Sequence, residues 1–180
     1  MRLAAVLVLV VVAAGCGGGG GSSAEEEAWA DEVCTSIAAW GTEVETIATD
    51  AAEAITEPGA TRDTLEAAIG DGLDATETLL EDLRGAVPPD TSEGGEAKAA
   101  VDAFLDDVSS ANDEVESALA DLPAAAGLAA IVTELSGLAT TLQTTIESGR
   151  TLVTELTELG GSMKDAFENT DSCQELREPE

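Results

Sequence analysis

Residues 29–51 read WADEVCTSIAAWGTEVETIATDA, and apolar side chains recur along them at spacings of three and four residues. The stripe consists of Trp29, Val33, Ile37, Trp40, Val44, Ile47 and Ala51. This spacing places all of them on one face of an α-helix, whereas a half-buried strand would alternate every second residue. The segment therefore predicts a long amphipathic helix whose apolar face must be covered by other parts of the fold.

Three further segments repeat this period, and each is set off by a break that contains proline or glycine. The breaks are Thr56-Glu57-Pro58-Gly59, Gly85-Ala86-Val87-Pro88-Pro89 and Pro123. Proline lacks the N–H that a helix interior needs, and glycine permits a chain reversal. The second stripe is Leu65, Ile69, Leu73, Thr76, Leu80 and Leu83. The third is Ala97, Val101, Phe104, Val108, Ala111, Val115, Ala118 and Leu122. The fourth is Leu128, Ile131, Leu135, Leu138, Leu142, Thr145, Gly149, Leu152, Leu156, Leu159 and Met163.

Four amphipathic helices joined by short breaks predict an all-α protein, an antiparallel up-down four-helix bundle with a short C-terminal helical segment. We assign this acidic helical-bundle domain to residues 25–180. The alternative is an elongated pair of helical hairpins that dimerises through an unfilled stripe. Periodicity alone does not separate the two arrangements.

The first sixteen residues have a different character. A basic start, Met1-Arg2, precedes an unbroken apolar run of twelve residues from Leu3 to Ala14. A helix that crosses a bilayer needs about 20 residues, so this run fits the apolar region of a signal peptide better than a membrane span. We therefore expect residues 1–15 to be a signal peptide.

The run ends in Ala13-Ala14-Gly15-Cys16, which resembles the lipobox of bacterial lipoproteins. The resemblance implies cleavage just before Cys16 and attachment of a diacylglyceryl group to its thiol. It therefore implies export and anchoring to the outer face of the cytoplasmic membrane. The alternative is an ordinary secretory signal peptide with an incidental cysteine.

The segment after Cys16 reads Gly17 to Gly21 followed by Ser22-Ser23. Glycine and serine supply no core and little stiffness, so the composition predicts a flexible tether. Residues 16–24 are thus expected to hold the lipidated cysteine and the tether that joins it to the helical domain.

Cysteine usage provides a separate indication of the topology. If Cys16 carries lipid, only Cys34 and Cys173 remain, and an exported protein enters an oxidising compartment. We therefore predict a Cys34–Cys173 disulfide. An even number of alternating helices places the two positions at the same end of the fold. A redox-active pair is disfavoured because the chain has no CxxC motif.

Charge and composition narrow the possible functions. The formal net charge is −30, from 37 acidic and 7 basic residues, which disfavours nucleic acid and anionic lipid headgroups as partners. The chain has no histidine and no tyrosine, and its paired carboxylates fall mostly on polar helix faces. The segment Asp71-Gly72-Leu73-Asp74 lacks the ligand spacing of a calcium loop. We expect no metal site, no cofactor and no enzymatic activity.

Two features have both a functional and a structural interpretation. Trp29 and Trp40 are candidate partner-binding residues, but their position on the apolar stripe favours the core. The small residues around Thr144, Thr145 and Gly149 could line a groove for a lipid or a peptide, although close helix contact is the favoured interpretation.

The segment Trp29-Ala30-Asp31-Glu32-Val33-Cys34, with Trp40 and a lone late Cys173, resembles a group of small helical exported proteins of high-GC Gram-positive bacteria. The resemblance implies an envelope location and supports the Cys34–Cys173 pairing, and it implies no activity. The function that the sequence favours is a non-catalytic envelope lipoprotein that binds a partner protein or a wall component. The alternative is a carrier or sensor that holds an apolar ligand between helices.

Overall fold

The computed structural model describes residues 21–56, 61–121 and 128–177, and within these ranges every regular element is an α-helix. The prediction of an all-α protein is therefore confirmed. The helices are α1 (Ala24–Thr56), α2 (Arg62–Gly85), α3 (Ser92–Asp121), α4 (Leu128–Glu158), α5 (Gly161–Asn169) and α6 (Asp171–Arg177). The first four correspond to the four apolar stripes of the sequence.

Threonine side chains that precede α2 and α3 satisfy backbone N–H groups at the starts of these helices. The Thr61 hydroxyl accepts a hydrogen bond from the Thr64 N–H and caps α2. The Thr91 hydroxyl accepts from the Gly94 N–H at 2.9 Å at the start of α3. Such caps pair N–H groups that have no partner inside the helix. With Thr91 as its cap, α3 begins at Ser92, and residues 86–91 connect it to α2.

The stripes of α1–α3 lie in the core largely as their spacing predicts. The buried stripe positions are Trp29, Val33, Ile37, Trp40, Val44, Leu65, Thr76, Leu80, Leu83, Ala97, Val101, Phe104, Val108 and Val115. Ile69 and Leu73, by contrast, are only half-buried. The side chains of residues 128–139 and of Leu142 in the fourth stripe lie outside the described residues, as does Leu122 in the third.

The fourth stripe is divided between two helices, although its spacing predicted one continuous helix. The sequence extended one helix through Leu159 to Met163, but α4 ends at Glu158 and Met163 lies in the separate helix α5. The interruption falls at Gly160 and Gly161, and Gly161 has a φ of 70°. That conformation is accessible to glycine at little cost, and it turns the chain so that Met163 still reaches the core.

Helix packing gathers the core into one continuous cluster. Helix α1 contacts α2, α4, α5 and α6, while α3 contacts α2, α4 and α5. The two short C-terminal helices therefore pack against the long ones instead of extending α4. No helix in the described ranges is both long and apolar enough to cross a membrane.

Candidate functional site

The disulfide joins the first and last described helices. Cys34 of α1 is bonded to Cys173 of α6, with an S–S distance of 2.01 Å and a Cα–Cα distance of 5.0 Å. The predicted pairing is confirmed. Neither cysteine has exposed surface, so thiols in solution have no direct access to the bond. A second link lies beside it, because the Ser172 hydroxyl donates to Oδ1 of Asp31 at 2.8 Å.

Glu26 ties the start of α1 to the start of α5. Its backbone N–H donates to the Ser23 hydroxyl, and its carboxylate accepts from the Ser23 N–H at 2.7 Å, which is a capping box. The Ser162 hydroxyl donates to the other carboxylate oxygen at 2.5 Å, across 136 residues of sequence. Burial raises the pKa of Glu26, but the hydrogen bonds from Ser162 and Ser23 outweigh burial, so the pKa lies below its ordinary value.

The start of α3 lies at this same end of the molecule. A Cβ placed on Gly161 would lie 3.1 Å from the Glu93 carboxylate. Glu93 and Glu26 therefore flank the first residues of α5, where negative charge is favourable. Together with the disulfide, these contacts bring the N-terminus of α1, the α2–α3 connection and both short helices to one end, which we call the disulfide end.

The structure places Trp29 and Trp40 in the core, each with 3% of its surface exposed. Trp29 packs edge-on against Phe167 of α5, with ring centroids 5.7 Å apart. Trp40 donates through Nε1 to the Thr76 hydroxyl of α2 at 3.2 Å. Both rings lie almost entirely within the core, which favours the core interpretation of these two residues. The pairing with Trp40 also explains a polar residue in the stripe of α2.

The small residue Gly149 of α4 brings three helices close together. A Cβ on Gly149 would lie 3.0 Å from Cγ2 of Ile37 and 3.5 Å from Cζ of Phe104. Helices α1, α3 and α4 therefore meet at Gly149, and the space there is filled by side chains of the protein itself. The hydroxyl of the buried Thr145 is bonded to the Thr141 carbonyl of its own helix.

An open depression lies on the surface beside the disulfide, between α1 and α6, with a volume of about 420 Å³. We call it the α1–α6 depression. Its lining residues are Thr35, Ala38, Ala39, Thr42, Glu43, Ser172 and Glu175. The sequence did not predict this depression. The pattern that could have indicated it is a small residue at every fourth position of α1: Ala30, Cys34, Ala38 and Thr42. Short side chains on a helix face leave room for a close neighbour, and α6 covers only part of this face.

Cys16, the predicted lipidation site, and the signal-peptide segment lie outside the described residues. Within the ranges that the structure describes, no group of three or more metal-ligating side chains is placed to hold an ion. Comparison of the chain with family models, with curated proteins and with solved structures finds no match.

Proposed function

We propose that the chain is an exported lipoprotein, held on the outer face of the cytoplasmic membrane by lipid on Cys16. It displays a non-catalytic, acidic helical domain that binds a partner protein or a wall component. The observation that carries the proposal is the buried Cys34–Cys173 disulfide, because such bonds form and persist in oxidising compartments. The pairing uses two of the three cysteines of the sequence, and the third, Cys16, stands at the end of a signal-like segment.

We further propose that α1–α4 form an up-down four-helix bundle, with α5 and α6 folded back on its disulfide end. The supporting contacts are those between consecutive long helices and between α4 and α1. Seven tether residues, from Gly17 to Ser23, span at most about 25 Å when extended. The disulfide end is then the membrane-proximal end of the domain, and the end of α1 at Thr56 and the start of α2 at Arg62 lie farther from the membrane.

The partner-binding role is preferred to that of a carrier for an apolar ligand. The packing at Gly149 favours partner binding, because Ile37 and Phe104 occupy the space between the three helices at that position. The charge of the chain adds to this preference, since a polyanion attracts cationic macromolecules over long distances.

Fractionation and mass spectrometry of the protein from a bacterial host test the anchor. The expected result is a membrane-bound protein whose first residue is Cys16 and whose mass includes a diacylglyceryl group. Cys16→Ser should release the protein from the membrane. The matched control replaces Cys34 and Cys173 with serine, which removes two cysteines but keeps the anchor. A wild-type protein with a free Cys16 thiol, or a Cys16→Ser variant that fractionates like the wild type, would overturn the proposal.

A further inference from the structure

A stripe of small residues on α1 is only partly covered by α6. α6 covers Ala30 and Cys34, which are fully buried. The same stripe becomes more exposed at the positions four and eight residues after Cys34. Ala38 is half-buried, and Thr42 is exposed. The wall formed by Ser172 and Glu175 converts this uncovered part of the stripe into the α1–α6 depression.

The floor of the depression presents mostly methyl groups, beside the hydroxyl group of Thr35. The Thr42 hydroxyl donates to the Ala38 carbonyl at 3.0 Å, so its hydrogen is used inside α1 and its methyl group is free to pack. Ala38 and Ala39 add two more methyl groups. A surface of this kind gains free energy when apolar atoms cover it, because water is released from it.

The charges of the depression are all of one sign. Glu43 and Glu175 belong to its lining, which includes no lysine or arginine. The basic residue of α6, Arg177, donates instead to the backbone carbonyls of Cys173 and Glu168. Carboxylates beside a methyl-covered floor complement a side chain that has an aliphatic stem and a cationic head, which is the construction of lysine and arginine.

We propose that the α1–α6 depression binds a basic segment of a partner protein, with small or aliphatic side chains on the floor and ammonium or guanidinium groups at Glu43 and Glu175. The depression is open to solvent, so the side chains of such a segment would lie on it without being enclosed. The inference rests on the proposed partner-binding function, but it does not depend on how the chain is anchored. The overall charge of −30 speeds the encounter, and the depression selects the site.

The test uses the full-length protein in phosphatidylcholine vesicles and a helical alanine–lysine peptide as the probe, at physiological ionic strength. Vesicles without protein supply the baseline. The expected result is saturable binding that is at least tenfold tighter than that of an oligolysine of equal charge, because oligolysine lacks the apolar contact. Equal affinities for the two probes, or no saturable binding, would overturn the proposal.

Two matched pairs of variants locate the site. Ala39→Phe fills the depression and should weaken the peptide at least tenfold, whereas Ala103→Phe, on the exposed face of α3, should leave the affinity unchanged. Glu43→Gln with Glu175→Gln should weaken it more than Asp106→Asn with Asp107→Asn, although each pair removes two charges. Equal effects within either pair would show general attraction to a polyanion and overturn the proposed site.

The proposed anchor and the proposed binding site are tested by separate experiments, so either proposal can be refuted without the other. The Cys16→Ser protein should bind the peptide with the affinity of the wild type, because Cys16 is not one of the residues that line the depression. A protein that proves to be unlipidated but binds the peptide through Ala39 would retain this inference and lose the proposed anchor.

Discussion

Removing the Cys34–Cys173 disulfide should lower the free energy of unfolding of the domain by about 5 kcal/mol. The bond closes a loop with a sequence separation of 139 residues. In the chain-entropy relation, a loop of this length lowers the entropy of the unfolded chain by about 17 cal/mol/K, which stabilises the fold by about 5 kcal/mol at 25 °C. Domains of this size are stable by about 5–15 kcal/mol in total, so the bond accounts for a third or more of the margin.

The assay measures urea unfolding by far-ultraviolet circular dichroism. It compares the oxidised wild-type protein with a double variant that carries Cys34→Ala and Cys173→Ala. Reduced wild-type protein is the control, because it loses the crosslink without losing the sulfur atoms from the core. For the double variant and for the reduced wild-type protein, we expect a free energy of unfolding that is lower by about 5 kcal/mol and a melting temperature that is lower by about 10–20 °C. Helix content at low urea should persist, because Glu26–Ser162 and Trp29–Phe167 still hold α5 against α1.

Oxidised and reduced proteins that differ by less than about 1 kcal/mol would refute this reasoning. Such a result would mean that the unfolded chain already keeps its ends close together, so that closing the loop removes little entropy.

Three further predictions concern a carboxylate, two glycines and the overall charge. Because the pKa of Glu26 is lowered from 4.5 in the folded protein, its contribution is present at neutral pH and is lost as the pH falls below 4.5. Glu26→Gln should therefore cost about 1 kcal/mol at neutral pH and flatten the loss of stability in acid, as measured by urea midpoints; an unchanged acid profile would contradict this. Gly149→Leu should destabilise by about 1–3 kcal/mol by overpacking against Ile37, whereas Gly72→Ala, whose Cβ meets nothing within 4 Å, should stabilise by about 1 kcal/mol. Equal shifts in thermal unfolding would disprove the contrast. Finally, the melting temperature should rise between low and physiological ionic strength, because salt screens the repulsion among 37 acidic residues, and a constant value would count against that mechanism.

Much of the fold follows from local sequence. A repeat of three and four residues places apolar side chains on one helix face, and proline or glycine ends the run, so the all-α class and the four long helices are readable in advance. The disulfide was predictable too, because the three cysteines divide into one at the end of a signal-like run and two near opposite ends of the helical region. Both predictions depend only on the spacing of residues along the chain and on the number and positions of the cysteines.

Tertiary structure decided the rest. The stripe that the sequence continued to Met163 is cut at Gly161, and only the packed fold shows that α5 turns back so that Ser162 meets Glu26. Periodicity places Trp29 on an apolar face, but it is Phe167, 138 positions later, that covers the ring. The α1–α6 depression likewise exists because α6 covers Cys34 and leaves Ala38 only half-buried. A local repeat determines which face of a helix is apolar, whereas the extent to which that face is covered depends on contacts between residues far apart in the chain.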